Sequence, residues 1–152
     1  PLLVAPVARK ILDSLSKVYA ERALQLRAAI AATTVFYGDE GDLLEIIGNL
    51  ADNACKWCQQ QIMVRAYPAN DHGRIELVVE VEDDGPGIPP EQVPLLLHRG
   101  QRADPMVAGH GIGLAVVHNL VEEVYSGHLD IGRSTLGGVL VRARLRFQAH
   151  SG

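Results

Sequence analysis

The chain has 152 residues, a length typical of one domain that buries a full core without disulfides or metals. Hydrophobic residues make up 47% and charged residues 21%, as in ordinary globular proteins, and aromatic residues make up only 5%, so the core must consist mainly of Leu, Val, Ile and Ala. With a net charge of −4, nothing in the overall composition indicates binding to nucleic acid or to a membrane surface, and we expect no such partner.

Hydrophobic periodicity predicts three helices and about six strands. The first helix is predicted from Pro6, which suits a first turn, to about Arg22, followed by strands at 24–30 and 35–37. The second helix is predicted at about 42–59. Strands at 61–67 and 74–82 are joined by a turn-rich segment, which indicates a hairpin. After an irregular stretch at 90–110 come a third helix at 114–125 and strands at 127–132 and 139–147.

This order predicts an α+β fold with a single domain over residues 1–152. We expect a two-layer sandwich of about three helices on a mixed, mostly antiparallel sheet of about five or six strands. In the last strand apolar residues alternate with Arg142, Arg144 and Arg146. We expect this arginine row to lie on a solvated outer face, and a docking surface is the alternative.

The two cysteines, Cys55 and Cys58, stand three residues apart in the second predicted helix. A single C-x-x-C pair is weak evidence for zinc, so we expect reduced, packed thiols in a reducing compartment. No apolar run reaches the roughly 18 residues of a transmembrane helix, and no signal peptide is visible. Because the chain begins at Pro1 without Met, we expect a fragment of a longer protein whose membrane segments lie elsewhere.

The strand at 74–82 alternates regularly and ends at an acidic turn, Asp83-Asp84-Gly85-Pro86-Gly87. Its odd positions from Ile75 onward are apolar, which predicts one buried and one solvated face. Asp83 shares the buried parity, so its carboxylate should point inward and Asp84 outward. A buried carboxylate needs a partner from the protein or a ligand, and the glycines let a flat ligand approach the backbone. An ordinary acidic loop is the alternative.

A polar row, Asn49, Asn53 and Lys56, occupies one face of the second helix at i, i+4 and i+7. Asparagine is a poor residue for a helix interior, so two in register suggest a function. An Asn carbonyl suits Mg²⁺ and a lysine suits phosphate. The alternative is a plain polar face with an ion pair between Asp52 and Lys56.

A glycine-rich motif, Gly109-His110-Gly111-Ile112-Gly113-Leu114, ends the irregular stretch and opens the third helix. Amides at a helix N-terminus favour anions, and glycines let phosphates come close. A dinucleotide fingerprint is less fitting, because that motif should follow a strand directly. The segment before it, about 95–110, is expected to be a lid or else disordered.

Taken in this order, the motifs resemble the ATP-binding domain shared by sensor histidine kinases, gyrase-type ATPases, Hsp90 and MutL, which has the Bergerat ATP-binding fold. Residues 49–57 resemble the N box, 83–87 the G1 box and 109–113 the G2 box, and Gly137-Gly138 falls where a last glycine pair is expected. The match spans about residues 5–147. Residues 53–58, 82–89, 99–102 and 136–138 are similar to the catalytic domain of PhoQ-type sensor kinases.

Three positions depart from that pattern. Leu97 stands where the F box usually has Phe, Val107 where a second lid arginine is usual, and His110 where a Gln is usual. The resemblance therefore implies fewer phosphate contacts from the lid, or a contact from His110 instead.

The resemblance implies binding of Mg-ATP. Asp83 would accept a hydrogen bond from the adenine amino group, with Gly85 and Gly87 making room for the nucleotide. Asn53 would coordinate Mg²⁺, and Asn49 and Lys56 would contact phosphates or metal. The remaining nucleotide-binding positions implied are Trp57, Ile88, Arg99, Arg102, His110, Gly111, Ile112, Gly113 and Leu114. Trp57 as a core aromatic and Arg99 as a surface clamp of the lid remain equal alternatives.

Phosphoryl transfer is favoured over hydrolysis. Hydrolytic members of this superfamily carry a Glu four residues before the metal-binding Asn, where this chain has Asn49, and an amide cannot act as a general base. Glu45 lies eight residues back. Catalytic roles are therefore expected for Asn49, Lys56 and Arg102, the last stabilising charge on the γ-phosphoryl group.

None of the six histidines has the setting of a phosphate acceptor. The acceptor is expected on a separate dimerisation helical domain N-terminal to Pro1. The full-length protein is expected to be a homodimeric, inner-membrane sensor with this domain in the cytoplasm and a PhoP-like response regulator as partner. The isolated domain should be monomeric. Alternatives are a protein-serine kinase of the anti-sigma type and a nucleotide-binding interaction module with weak or absent catalysis.

Overall fold

The computed structural model describes residues 1–88, 91 and 108–146, with side chains in the last range from residue 114. Within these residues the α-helices are α1 (Val4–Val18), α2 (Glu40–Trp57) and α3 (Ala108–Asn119). A 3₁₀ turn (Ala20–Arg22) follows α1, and a π-helical turn (Leu120–Val124) continues α3. The strands are β1 (Leu2–Leu3), β2 (Gln25–Ile30), β3 (Val35–Phe36), β4 (Gln61–Asp71), β5 (Arg74–Asp83), β6 (His128–Arg133) and β7 (Val139–Arg146).

Five strands form one sheet in the order β2-β4-β5-β7-β6, and β1 pairs with β3 in a separate two-stranded sheet. β2 and β4 are parallel, and the other neighbours are antiparallel. The parallel pair requires a crossover, which α2 supplies between the two strands. The predicted α+β sandwich with a mixed, mostly antiparallel sheet is confirmed.

The three helices cover one face of the large sheet, and the core between the layers is aliphatic, as the composition predicts. Phe36 and Tyr125 are buried aromatic residues of the described part of this core, and their ring centroids lie 5.3 Å apart. The Tyr125 hydroxyl donates to Asp42 Oδ2 (2.7 Å) and accepts from the Asp39 amide (3.1 Å). Asp39 also caps α2, because its carboxylate accepts from the Asp42 amide. These contacts join the start of α2 to the end of α3.

Segment boundaries differ from the prediction at several places, and the short strand β1 was not predicted. α1 ends at Val18, and the residues after it form the separate 3₁₀ turn. β4 extends to Asp71 with Pro68 inside it, so the hairpin turn is only His72-Gly73, both at positive φ. α3 begins at Ala108 rather than Leu114. The prediction rested on apolar positions from Leu114 onward, and the glycine-rich motif has few apolar residues to mark its helical turns.

The prediction of one solvated face on β5 is wrong. Glu76, Glu80 and Glu82 alternate with the inward residues, yet all three are buried. The arginines of β7 lie over two of them: Arg142 Nε donates to Glu80 Oε2 at 2.7 Å, and Arg146 Nε donates to Glu76 Oε1 at 3.4 Å. Burial is expensive for a carboxylate unless it is paired, so the arginine row covers these acids rather than simply facing water.

The third acid of this row is paired from another strand. Glu82 accepts hydrogen bonds from Arg65 of β4 and from the Ser134 hydroxyl. Burial raises the pKa of Glu82, but these hydrogen bonds outweigh that effect and hold the pKa below its usual value. At the other end of β5, Ile75 shares the inward parity but is 57% exposed.

Among the helices that the structure describes, we find none with both the length and the apolar character needed to traverse a bilayer.

Gly48→Ala should raise the free energy of unfolding by about 0.5–1 kcal/mol, since glycine in a helix interior costs this much relative to alanine. Nothing lies within 4 Å of the added methyl group. Urea denaturation measures the change. Gly127→Ala is the matched contrast, because its methyl group would collide with the Arg144 carbonyl oxygen and lower the stability. Equal effects in the two variants would contradict this packing.

Candidate functional site

The carboxylate of Asp83 stands at the end of the central strand β5 and is only 4% exposed, which confirms the inward orientation predicted from strand parity. Its Oδ1 accepts hydrogen bonds from the amides of Gly85 (2.9 Å) and Val139 (3.2 Å). Its Oδ2 accepts none from the described part of the chain. The backbone therefore fixes one oxygen of this carboxylate, and the described residues donate no hydrogen bond to the other.

The electrostatics of Asp83 follow from its burial. Loss of solvation raises the pKa of this carboxyl, the two backbone hydrogen bonds lower it in part, and the neighbouring charge of Asp84 raises it. The net direction is upward. Ionisation of Asp83 therefore costs folding stability as the pH rises through its folded-state pKa.

The last glycine pair packs directly against this acid. The Gly138 amide donates to the Asp83 carbonyl oxygen at 3.1 Å, and a Cβ at Gly138 would collide with Asp83 and with the Gly85 amide. Gly137 adopts a φ of +107°, a conformation that favours glycine. Both glycines are thus required by the backbone that surrounds Asp83.

A pocket of about 530 Å³ opens beside this turn, within the range of roughly 300–1,000 Å³ that is usual for small-molecule sites. Its lining combines the residues after Asp83, the glycine pair and the end of β6: Pro86, Gly87, Ile88, Ile131, Gly132, Arg133, Gly137 and Gly138. Gly87 and Ile88 were predicted site residues. The β6 residues were not, because no motif marks them and only the β6–β7 pairing brings them here.

Asp84 has a structural role that the sequence reading missed. Its Oδ1 accepts hydrogen bonds from the amides of Gln59 (2.8 Å), Gln60 (3.1 Å) and Gln61 (3.2 Å). Burial raises its pKa, but these hydrogen bonds outweigh that effect and hold the pKa of Asp84 below its usual value. The carboxylate therefore ties the turn after β5 to the connection between α2 and β4.

The polar row of α2 (Asn49, Asn53 and Lys56) differs in burial along the helix, and Asn49 is hydrogen-bonded within it. Asn49 Nδ2 donates to the Glu45 carbonyl oxygen (2.7 Å) and to Glu45 Oε2 (3.0 Å). A carbonyl oxygen only accepts, so the contacting atom of Asn49 is its nitrogen and Oδ1 is directed elsewhere. Asn53 is 9% exposed, so the row borders the core.

Lys56 and Trp57 lie in the last turn of α2. The Lys56 ammonium lies 3.6 Å from Asp52 Oδ2, so the ion pair of the alternative interpretation exists, but both groups are substantially exposed. Trp57 is 37% exposed, which places it outside the core. A Cβ at Gly85 would collide with the Trp57 carbonyl oxygen, so the G1-like turn packs closely against the end of α2.

Several predicted site residues are not tested by the described structure. Arg99 and Arg102 lie outside the described residues, and for His110, Gly111, Ile112 and Gly113 only the backbone within α3 is described. That backbone corrects the predicted glycine turn, because the helix already begins at Ala108. The Leu114 side chain is 1% exposed and belongs to the core.

The donors of α2 fit Mg²⁺ better than a transition metal. Among residues 1–88, 91 and 108–146, no group of three or more His, Cys, Asp or Glu side chains is placed to hold a metal ion. Amide oxygens of Asn49 and Asn53 are hard ligands, and Mg²⁺ commonly takes only one or two protein oxygens together with water and substrate phosphates.

Comparison with known proteins gives a consistent family. Residues 38–149 match the model of the histidine kinase-, DNA gyrase B- and HSP90-like ATPase family. The chain is 39% identical over 135 residues to the virulence sensor histidine kinase PhoQ of Salmonella typhimurium, covering 89% of this chain and 27% of that protein. It is 38% identical over the same length to the sensor protein PhoQ of Escherichia coli. The chain thus spans about a quarter of the length of these relatives.

Solved structures share the fold. The mycobacterial sensor histidine kinase MprB superposes with a TM-score of 0.72 at 28% identity and covers 95% of both chains. The ATP-binding domain of PrrB from Mycobacterium tuberculosis superposes with a TM-score of 0.74 at 18% identity, over 95% of this chain and 94% of the other, which supports the fold alone.

Neutralising Asp83 and neutralising Asp84 should have different effects on the free energy of unfolding. At pH 7, Asp84→Asn should lower the free energy of unfolding by about 0.5–1.5 kcal/mol, because it removes the charge of the acceptor from three hydrogen bonds, two of them exposed and one half-buried. Asp83→Asn should not lower the free energy of unfolding. The amide Oδ1 of Asn still accepts both backbone hydrogen bonds, and the variant no longer has a buried carboxylate whose ionisation lowers stability.

The pH dependence provides the check on the first variant. The folded-state pKa of Asp84 lies below its ordinary value of 3.8, so its contribution is fully present above that pH and is lost as the pH falls through the folded value. Urea denaturation from pH 7 down to pH 3 should show the difference between wild type and Asp84→Asn shrinking only below about pH 4. A constant difference would contradict the ionic origin.

Proposed function

Because this chain belongs to the histidine kinase-, DNA gyrase B- and HSP90-like ATPase family, we propose that it is the catalytic domain of a two-component sensor kinase. It binds Mg-ATP and transfers the γ-phosphoryl group to a histidine on a separate dimerisation helical domain, which then passes it to a response regulator. The observation that carries this proposal is the Asp83 carboxylate, buried beside a pocket with one oxygen fixed and the other open to a ligand.

Adenine recognition rests on Asp83. A carboxylate oxygen in a dry site accepts a hydrogen bond from an amino group strongly, and the backbone amides of Gly85 and Val139 hold its orientation in advance. The glycines on both sides of the turn keep side chains out of the space that a planar base needs. This arrangement favours a ligand that presents an amino group on a flat ring.

Phosphate and metal binding are assigned to α2. Asn53 and the free Oδ1 of Asn49 supply oxygen ligands for Mg²⁺, which when bound neutralises charge on the phosphates. Lys56 contacts phosphate, and Trp57 packs along the nucleotide. Arg99, Arg102 and the amides of the 110–114 segment complete the phosphate site in this proposal, with Arg102 stabilising the charge that develops during transfer.

Transfer rather than hydrolysis follows from the chemistry of α2. The position that would need a general base holds Asn49, whose amide cannot accept a proton from water. On the N-terminal side of Asn49, the acid one turn further from Asn53 is Glu45, and it accepts a hydrogen bond from Asn49. The phosphoryl group therefore goes to an acceptor on another protein segment.

The partners follow from the relatives. This chain matches 27% of a PhoQ protein, so the proposed full-length kinase has room for a dimerisation domain with the acceptor histidine and for a sensor region. We assign this domain to the cytoplasmic side of an inner-membrane homodimer, with a PhoP-like response regulator downstream. The isolated domain is monomeric in this proposal.

Asp83→Asn should weaken Mg-ATP binding by about 1–3 kcal/mol, because the amide presents a donor toward the adenine amino group where an acceptor is needed. Isothermal calorimetry measures the affinity, and the unfolding curve of the same variant shows that the fold is retained. Unchanged affinity would remove Asp83 from the adenine site.

Arg102→Ala should reduce phosphotransfer much more than Mg-ATP binding, since the proposed contact strengthens in the transition state. The assay uses labelled ATP and a purified helical domain that carries the acceptor histidine. Arg74→Ala, at the exposed end of the β4–β5 hairpin, serves as the matched control and should leave both quantities unchanged. An equal loss of binding and transfer in Arg102→Ala would make Arg102 a ground-state phosphate contact instead.

A further inference from the structure

One ionic contact lies on the same helix as the proposed metal and phosphate ligands but belongs to neither group. Asp52 uses both carboxylate oxygens: Oδ1 accepts a hydrogen bond from the Tyr19 hydroxyl at 2.8 Å, and Oδ2 lies 3.6 Å from the Lys56 ammonium. Asp52 thus connects the end of α1 to the lysine that we assign to phosphate. Motif reading named this ion pair only as an alternative to a functional site.

Tyr19 is itself firmly placed. It is the residue after α1, and the Arg22 guanidinium lies 5.9 Å from the centre of its ring. Arg22 also donates to the carbonyl oxygens of Cys55 (2.6 Å) and Cys58 (2.7 Å), at the end of α2. Two residues of one short segment therefore hold the last two turns of α2.

The Tyr19 hydroxyl keeps its proton near neutral pH and so remains a hydrogen-bond donor. Burial, and then the hydrogen bond to Asp52 and its charge, raise the pKa of Tyr19. The phenol therefore stays protonated and holds the Asp52 carboxylate on the α1 side of the helix.

Because of its position on α2, Asp52 competes with phosphate for the Lys56 ammonium. Asp52 and Lys56 are four residues apart, and Asp52 directly precedes the proposed metal ligand Asn53. A carboxylate here attracts the Lys56 ammonium and repels an incoming polyphosphate. Because both groups of the ion pair are substantially exposed, the pair is weak enough to be exchanged for a phosphate contact.

We propose that Asp52, anchored by Tyr19, is the resident counter-ion that positions the Lys56 ammonium and yields it to the phosphates of the nucleotide. Asp52 and Tyr19 are then positioning residues that set the affinity for the polyphosphate part of the ligand and not for the base. This inference rests on the proposed nucleotide site.

The test measures the affinities of Mg-ATP and of adenosine, which lacks phosphates, by calorimetry. Asp52→Asn should bind Mg-ATP roughly 1.5- to 5-fold more tightly, the factor that corresponds to an exposed ion pair. Tyr19→Phe should bind Mg-ATP more weakly by a similar factor. Without the Tyr19 hydroxyl, the negative charge of Asp52 acts on Lys56 alone and holds the ammonium more strongly. Adenosine affinity should not change in either variant.

The double variant Tyr19→Phe/Asp52→Asn tests whether Tyr19 acts on Lys56 through Asp52. If Tyr19 acts through the Asp52 charge, Tyr19→Phe should have no effect on Mg-ATP affinity in the Asp52→Asn background. Both Mg-ATP effects should also shrink at high salt, since the groups are exposed. The fluorescence of Trp57, the only tryptophan of the chain, checks that the last turn of α2 is unchanged in every variant.

Asp13→Asn is the matched control, because it removes the same charge from the exposed face of α1. This variant should leave the affinities for Mg-ATP and adenosine unchanged. If it bound Mg-ATP as much more tightly as Asp52→Asn does, net charge alone would explain the effect, and the inference would be overturned. Unchanged or weaker Mg-ATP binding in Asp52→Asn, or an equal change for adenosine, would also overturn it while leaving the nucleotide site intact. A wild-type chain that binds neither ligand would instead refute the proposed function, and this inference with it.

Discussion

The structure depends on two hydrogen bonds accepted by one buried side-chain oxygen, Oδ1 of Asp83, at the end of the strand that lies in the centre of the sheet. Its Oδ1 is held by backbone amides from two separate places in the chain, the turn after β5 and the start of β7. Those hydrogen bonds require the two strands to end together and require glycine at Gly138, where a side chain would collide with the acid. Among the described residues Oδ2 has no hydrogen-bond donor, so the side chain that fixes these strand ends is also the one that we propose to contact the adenine.

The central strand is buried on both faces, and this places a second constraint on the sheet. Its outer face carries acids that are covered by arginines of β7 and β4 rather than by a helix. An isolated buried charge is costly, so each Glu of this face has a specific cationic or hydroxyl partner. These pairs stabilise the register of β4, β5 and β7, because a slip by one residue would separate every acid from its partner. The register in turn sets the position of Asp83.

The end of α2 is held from two sides. On one side, Asp84 binds the amides that follow the helix, and Gly85 packs against its last carbonyl groups. On the other side, Arg22 and Tyr19 bind the carbonyl groups and Asp52 of the same turns. Helix ends otherwise fray, because their terminal carbonyl groups lack partners. This turn carries the residues that we assign to metal, phosphate and nucleotide, so its double attachment gives those side chains a defined place.

Local patterns in the sequence determined the number and type of the main elements, the inward direction of Asp83 and the shared face of Asn49, Asn53 and Lys56, because these depend only on the periods of strands and helices. The family resemblance, carried by the order of the motifs, was confirmed. Only the tertiary structure decided which acids of β5 find arginine partners, that Asp84 caps the α2–β4 connection, that β6 lines the pocket, and that Tyr19 reaches Asp52. These features join residues far apart in the chain. They are set by sheet order and strand register, which no local pattern encodes.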